Sequence, residues 1–244
     1  MSSSGEMPFL LHLEELRWRV IKIFLSVVFS AVPCWIFWER IFDLIMIYPL
    51  RLASPKPKLI YTTPAETVVL SIKIAFACGI IIAAPLIFYQ IWKFVSPGLY
   101  KKEKRAIIPV VVASTLFFIM GILFSYITFP YVMRFLTMYA AERLDPMFKA
   151  GDYFGFLLKI SFSFGVVFEL PVISFVLSRM GILSAKFLIR HFRYAIVIIF
   201  IVAAVLTPPD VLSQLLMALP LLVLYLISIL VAAFCGRRKE SIQD

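Results

Sequence analysis

Long apolar stretches separated by short charged segments are the feature of this sequence that most restricts its fold. An apolar stretch of about 20 residues can cross the roughly 30 Å hydrocarbon core of a bilayer as a helix, because each residue rises about 1.5 Å. The 244-residue chain is 62% hydrophobic and only 16% charged, whereas a soluble domain is about 45–50% apolar and about 25% charged. These values exclude a soluble globular domain and a disordered chain, and they predict an all-α polytopic membrane protein.

Hydropathy and proline positions predict six transmembrane helices in a single integral membrane domain, residues 1–244. The last apolar stretch, residues 194–235, is too long for one span, and Thr207-Pro208-Pro209-Asp210 interrupts it. Proline suits a first helical turn and aspartate favours a helix N-terminus, so one helix ends and another begins there. The last two helices are expected to be short. The predicted spans are residues 20–38, 67–92, 106–132, 153–180, 194–206 and 211–235.

Basic residues are distributed unequally between the two sides that six spans define. If the N-terminus is inside, the inner segments 17–22, 93–105, 186–193 and 237–239 hold 14 Lys and Arg residues, and the outer segments hold seven. The positive-inside rule therefore predicts that both termini are cytoplasmic. Because this distribution accounts for most of the net charge of +10, that charge does not indicate binding to nucleic acid.

The loops and cysteines predict little chemistry of their own. The first outer loop, residues 39–66, is long for a connection without secondary structure, so we expect a short interfacial helix within it. The second outer loop, which contains Glu142, Arg143, Asp145 and Lys149, is expected to be ordinary. Cys34, Cys78 and Cys235 lie in apolar stretches without C-x-x-C spacing, so we predict no metal site, disulfide framework or cofactor.

Glu169 is an ionisable residue deep within the predicted fourth span. At about 1.5 Å per residue it lies about 24 Å from Tyr153 and about 15 Å from Arg179, well inside the hydrocarbon region. A carboxylate there costs at least about 2.5–3.5 kcal/mol unless it faces protein or water. Pro171 also lacks the N–H that would bond the carbonyl of Val167. Two interpretations stay open: a neutral structural carboxyl, and a polar pocket that is used in function.

Two carboxylates stand among cations on the predicted cytoplasmic side. Glu15 lies in the amphipathic stretch before the first span, where an i,i+4 pair with Arg19 is the structural alternative to a binding role. Glu103 is the only acid in Lys101-Lys102-Glu103-Lys104-Arg105, where its alternative role is to offset the charge of a topology-setting loop. A cationic ligand is repelled by such a face except where Glu15 and Glu103 converge, so the pattern favours selective cation binding.

Several motifs of the chain combine into one pattern. They are His12-Leu13-Glu14-Glu15-Leu16-Arg17, the stretch from Ala84-Pro85 to Gly98-Leu99-Tyr100, the following Lys101-Lys102-Glu103-Lys104-Arg105, Phe164-Gly165 with Glu169-Leu170-Pro171, and Leu206-Thr207-Pro208-Pro209-Asp210. In this order and on the predicted topology they resemble the TatC family, the receptor component of the twin-arginine protein translocase. The resemblance covers nearly the whole chain.

This resemblance implies a receptor that binds the twin-arginine signal peptides of folded precursor proteins at the cytoplasmic face of the bacterial inner membrane. Export would be driven by the proton-motive force, with TatA- and TatB-type subunits as partners in homo- and hetero-oligomers. By the same resemblance, Glu15 and Glu103 bind the paired arginines and Arg17 and Phe94 adjoin them, Glu169 belongs to a polar pocket within the membrane, and Pro49, Pro208, Pro209 and Asp210 are functional residues of the outer loops.

The chemistry of arginine agrees with this expectation. A guanidinium stays charged near pH 7 and can make two parallel hydrogen bonds to one carboxylate, which an ammonium cannot copy. An Arg-Arg pair is therefore expected to outcompete a Lys-Lys pair at paired carboxylates.

Two other classes of function compete with this one. An ion-coupled small-molecule secondary transporter would use Glu169 and the interrupted helices near the C-terminus. An intramembrane enzyme would need a buried nucleophile with a base, or a His-rich metal site, but His12 and His191 both lie near the cytoplasmic side and no G-x-S-x-G occurs. We therefore expect no enzymatic activity.

Overall fold

The computed structural model describes residues 6–53, 58–95, 107–138, 147–207 and 211–240, and most of these residues are helical. The elements in chain order are α1 (Glu6–Ile36), α2 (Trp38–Phe42), a π-helical turn (Asp43–Ile47), α3 (Tyr48–Ala53), β1 (Lys58–Ile60), α4 (Pro64–Val95), α5 (Ile107–Met138), β2 (Met147–Lys149), α6 (Ala150–Val167), α7 (Leu170–Arg179), α8 (Ala185–Arg190), α9 (Phe192–Leu206) and α10 (Val211–Glu240).

Within the described ranges, five segments are long and apolar enough to cross a membrane. They are His12–Ile36, Pro64–Val95, Ile107–Thr137, Ala150–Arg179 and Gln214–Cys235. A shorter apolar helix, Phe192–Leu206, is also present. The predicted class, an all-α polytopic membrane protein, is confirmed. Helix ends do not by themselves mark where a chain enters a bilayer, so the span boundaries stay predictions.

The last two helices differ in length. α9 has 15 residues and is short, as expected. α10 has 30 residues, so the expectation that the last helix is short is wrong for the helix as a whole. Arg237, Arg238, Lys239 and Glu240 are good helix formers, and they extend the helix beyond its apolar part.

The first compact unit comprises residues 1–44 and 63–115, and within it α1 packs along α4. The two helices lie in close contact at Gly79, where a Cβ atom would lie 2.9 Å from the carbonyl oxygen of Val27 and 2.9 Å from Cβ of Ala31. Small residues allow such close packing where lipid gives no hydrophobic drive for helices to associate. This packing brings the start of α1 beside the end of α4.

The second compact unit comprises residues 45–62 and 116–244. In it, α10 packs against α7, α8 and α9. α5 and α6 meet at Gly121 and Gly165, and a Cβ atom on Gly121 would lie 2.6 Å from the carbonyl oxygen of Phe164. The rings of Phe124, Phe164 and Phe168 pack together beside this contact.

The two loops that are predicted to lie outside hold more regular structure than the sequence indicated. The short helix expected within residues 39–66 is present as α2 and α3 with the π-helical turn between them. β1 pairs in parallel with β2, in the register Lys58 to Met147 and Ile60 to Lys149. The expectation of an ordinary second outer loop is wrong at residues 147–149, because a three-residue strand is too short to show an alternating pattern.

Candidate functional site

Glu15 lies on α1 with its side chain 38% exposed. Its Oε1 accepts a hydrogen bond of 3.1 Å from Nε of Arg19 and another from Nη2 of Arg19. Its Oε2 lies 3.6 Å from Nδ1 of His12. The i,i+4 ion pair that the sequence offered as the structural alternative is therefore present, and it places a guanidinium directly on the candidate carboxylate.

Arg19 also reaches from α1 to α4. Its Nη1 donates to Oε1 of Gln90 at 3.3 Å, and its Nη2 lies 3.5 Å from the backbone carbonyl oxygen of Lys93. The Arg19 side chain is only 11% exposed. The sequence interpretation did not single out Gln90, since 71 positions separate it from Arg19 and only the packing of the two helices brings them together.

His12 and Phe94 complete this cluster. Their rings stack with centroids 4.3 Å apart and an interplanar angle of 15°. His12 therefore links Phe94 to Glu15, and the three residues belong to one group with Arg19, Gln90 and Lys93. We call these six residues the Glu15 cluster.

Two other residues, Arg17 and Glu103, were predicted for this site. Neither is among the six residues of the Glu15 cluster. Arg17 pairs with Glu14, with 3.7 Å between Nη2 and Oε1, and both side chains are more than half exposed. Residues two apart on a helix do not share a face, so Arg17 points away from Glu15. Glu103 lies outside the described residues.

A partly buried hydrogen bond joins the two helices that flank residues 96–106. Nε1 of Trp92, near the end of α4, donates to Oγ of Ser114 on α5 at 2.8 Å. Ser114 is fully buried, so its hydroxyl needs an internal partner. The contact links the two helices that lie on either side of the segment containing Glu103.

Glu169 is buried, with 6% exposure, where the helical segment Ala150–Arg179 is interrupted. Its backbone N–H bonds to the carbonyl of Val166 at 3.1 Å, three residues back, and its own carbonyl accepts from the N–H of Ile173 at 2.8 Å. Pro171 explains the interruption, because proline cannot donate to the carbonyl of Val167. The carboxyl therefore sits at a break in a membrane helix, a position that suits both a structural and a functional role.

Two contacts at the end of α9 were not predicted. Nζ of Lys159 on α6 donates to the carbonyl of Val205, and Oγ1 of Thr207 donates to the carbonyl of Ala203 at 2.9 Å. The last carbonyls of a helix lack intrahelical partners, and a cation or hydroxyl can satisfy them. No sequence pattern indicates the Lys159 contact, because its partner is 46 positions away and is a backbone atom.

Of the four residues predicted to function in the outer loops, the structure describes Pro49. Pro49 is buried in α3 and lines a cleft of about 360 Å³ together with Tyr48, Tyr126, Tyr131 and Arg134. Pro208, Pro209 and Asp210 lie outside the described residues. Within the part of the chain that the structure describes, no three His, Cys, Asp or Glu side chains are grouped as a metal ion would require.

Comparisons with known proteins agree on one family. The family model described as TatC, Sec-independent protein translocase protein, matches residues 11–220. The relative in Desulforapulum autotrophicum named Sec-independent protein translocase protein TatC is 41% identical over 238 residues, which cover 97% of this chain and 88% of that protein. The relative of the same name in Aquifex aeolicus is 38% identical over 240 residues, covering 97% of this chain and 99% of its own length.

Solved structures give the same result. A crystal structure of the twin-arginine translocase receptor TatC aligns with a TM-score of 0.78 and 35% identity over 92% of this chain and 99% of its own. A second, determined in the detergent DDM, aligns with a TM-score of 0.82 and 38% identity over 91% of this chain and 99% of its own. The similarity therefore extends over both compact units.

Proposed function

Because the chain belongs to the TatC family of Sec-independent protein translocases, we propose that it is the receptor subunit that binds twin-arginine signal peptides. Its ligands are the signal peptides of folded precursor proteins, bound at the cytoplasmic face of the bacterial inner membrane for export driven by the proton-motive force. The family is one of translocases rather than enzymes, and the proposal includes no catalytic step.

The observation that carries the proposal is the contact between Glu15 and Arg19. The carboxylate that would recognise an arginine already binds a guanidinium through Nε and Nη2. Glu15 retains 38% exposure, so a ligand can approach it from solvent. Glu103 is the proposed second carboxylate, one for each arginine of the signal. Phe94 and Arg17 would adjoin the two carboxylates, and Phe94 would contact residues that flank the arginine pair.

Arginine recognition by carboxylates predicts a chemical preference. Two guanidinium groups can each make parallel charge-assisted hydrogen bonds, while two ammonium groups act only as point charges. The test is binding of a twin-arginine signal peptide to the purified full-length chain in detergent, compared with its Lys-Lys version. We expect the Arg-Arg peptide to bind at least tenfold more tightly, because one additional charge-assisted hydrogen bond contributes about 1.5–3 kcal/mol. Equal affinities would reject the proposal.

Charge reversal locates the site. Glu15→Lys and Glu103→Lys should each abolish crosslinking of the signal peptide while the protein still inserts into the membrane. Glu14→Lys is the matched control, since Glu14 is an exposed neighbour that pairs with Arg17 instead, and it should retain crosslinking. Unchanged crosslinking in both Glu15→Lys and Glu103→Lys would reject these carboxylates as the site.

The remaining parts of the proposal concern assembly and transport. We propose TatA- and TatB-type subunits as partners, oligomers with them and with further copies of this chain, and a topology with both termini in the cytoplasm. Glu169 would act within the membrane after the signal is bound, and Pro49 and Pro208-Pro209-Asp210 would act in the outer loops. The whole chain would work as one membrane domain.

An ion-coupled small-molecule transporter gains no support from the comparisons, since the relatives described above are protein translocases. Flux of a small solute into liposomes that contain this chain alone would be needed to revive it.

A further inference from the structure

The carboxylate of Glu15 is occupied by an arginine of the chain itself. Arg19 directs both Nε and Nη2 to one oxygen of Glu15. The guanidinium of a signal peptide would have to bind the same carboxylate. A second guanidinium at the same oxygen would be repelled by Arg19, because like charges in contact disfavour each other.

Arg19 also has a place to go if it leaves Glu15. Its Nη1 and Nη2 already touch Oε1 of Gln90 at 3.3 Å and the carbonyl oxygen of Lys93 at 3.5 Å. Both distances are longer than those of a typical N–H···O hydrogen bond. They would shorten if the guanidinium moved from α1 towards α4. A buried guanidinium that keeps acceptors after release avoids most of the cost of leaving a charge unpaired.

We propose that Arg19 is an internal competitor for Glu15, so that a signal peptide binds by exchanging one guanidinium for another. This inference rests on the proposed function, since it assigns Glu15 to the signal. In the free receptor Arg19 occupies Glu15. When the peptide arginine takes its place, Arg19 moves onto Gln90 and the carbonyl of Lys93. No covalent bond is made or broken in this step, and the charge of the site rises by one when the peptide arginine binds.

Competition of this kind sets affinity rather than preference. The apparent dissociation constant equals the intrinsic one divided by the fraction of receptor with Glu15 released. That fraction is the same for an Arg-Arg and a Lys-Lys peptide, so both affinities are lowered by one factor and their ratio is unchanged. The affinity for the Lys-Lys peptide, which is the weaker of the two, thereby becomes too low for binding at the concentrations at which the Arg-Arg peptide binds. Binding of the Arg-Arg peptide stays reversible.

Arg19→Gln provides the first test, with peptide affinity measured on the purified full-length variant in detergent. Glutamine keeps a donor for the α4 acceptors but carries no charge. We expect the affinities for the Arg-Arg and Lys-Lys peptides to rise in parallel by about tenfold. Arg19→Lys retains a cation beside Glu15 but loses the paired N–H contact, so it should give an intermediate rise. A fall in affinity in both variants, with the protein folded by circular dichroism, would show that Arg19 positions Glu15 and would overturn the proposal.

Gln90→Glu supplies a second and independent test. A carboxylate at position 90 offers Arg19 a stronger resting partner and should release Glu15, which raises affinity for the Arg-Arg peptide several-fold. In an Arg19→Gln background the same change should add nothing, because the residue on which it acts is gone. A gain of equal size in both backgrounds would mean that position 90 attracts the peptide directly, and it would overturn the exchange.

The wild-type chain separates failure of this inference from failure of the proposed function. If the wild type does not distinguish Arg-Arg from Lys-Lys, or if Glu15→Gln leaves binding unchanged, the receptor assignment itself is wrong. If the wild type does distinguish the two peptides and Glu15→Gln does weaken binding, but Arg19→Gln does not raise affinity, only the exchange is wrong.

Discussion

The rings of His12 and Phe94 stack 4.3 Å apart with an interplanar angle of 15°, which ties α1 to the last turn of α4. His12 is one helical turn before Glu15, and Phe94 is the penultimate residue of α4, directly before the undescribed segment that contains Glu103. The stack therefore links the helix that carries one proposed carboxylate to the end of the helix that leads to the other.

Replacement of His12 should separate stacking from charge. We expect His12→Ala to weaken binding of a twin-arginine peptide by about two- to tenfold, because an aromatic pair contributes about 0.5–1.5 kcal/mol beyond the area it buries. His12→Phe keeps the stack and should bind within about twofold of wild type. Fluorescence anisotropy with a labelled peptide measures both. If the two variants lose affinity equally, the imidazole contact with Glu15 matters instead of the stack.

The sequence was sufficient to predict the helices and to single out the individual candidate residues, because both depend on local pattern. Apolar stretches of span length predicted α1, α4, α5 and the interrupted segment around Glu169, and the isolated carboxylate at Glu15 stood out among cations. Contacts between residues that are far apart in the chain could not be predicted from the sequence. Nothing local marks Gln90 as a partner of Arg19, and the pairing of β1 with β2 joins two three-residue segments whose patterns are too short to read.

Trp92→Phe should destabilise the first compact unit. The change removes the donor to the buried hydroxyl of Ser114, and a buried polar group that loses its partner costs about 1–3 kcal/mol. We expect a lower melting temperature in detergent and weaker peptide binding, since α4 and α5 flank the Glu103 segment. Trp35→Phe is the control, because Trp35 is 54% exposed and its bond to Ser71 is 3.4 Å long. Equal melting temperatures for Trp92→Phe and wild type would contradict the expectation.

Glu169→Ala should impair transport and leave signal binding nearly unchanged. The carboxyl is buried at a helix break in the second compact unit, whereas the residues that we propose for recognition belong to the first. Transport of a precursor into inverted membrane vesicles and peptide affinity of the purified chain are the two measurements. Val166→Ala, on the same turn with a side chain 63% exposed, is the control and should transport normally. Full transport by Glu169→Ala would show that the carboxyl of Glu169 has a structural role and is not used in transport.

Two glycines of the second unit should respond oppositely to alanine. At Gly121 an added Cβ would lie 2.6 Å from the carbonyl oxygen of Phe164 and 2.9 Å from Cα of Gly165. Both atoms are backbone, so α5 and α6 must separate to admit a methyl group, and overpacking of this kind costs about 1–3 kcal/mol. At Gly155, also on α6, nothing lies within 4 Å of the Cβ position, and alanine favours a helix over glycine by about 1 kcal/mol. We therefore expect Gly121→Ala to melt at a lower temperature than wild type and Gly155→Ala at the same or a higher one. Because α6 leads directly to the break at Glu169, Gly121→Ala should also reduce transport. A variant Gly121→Ala as stable as Gly155→Ala would show that the two helices are not held together by close backbone contact.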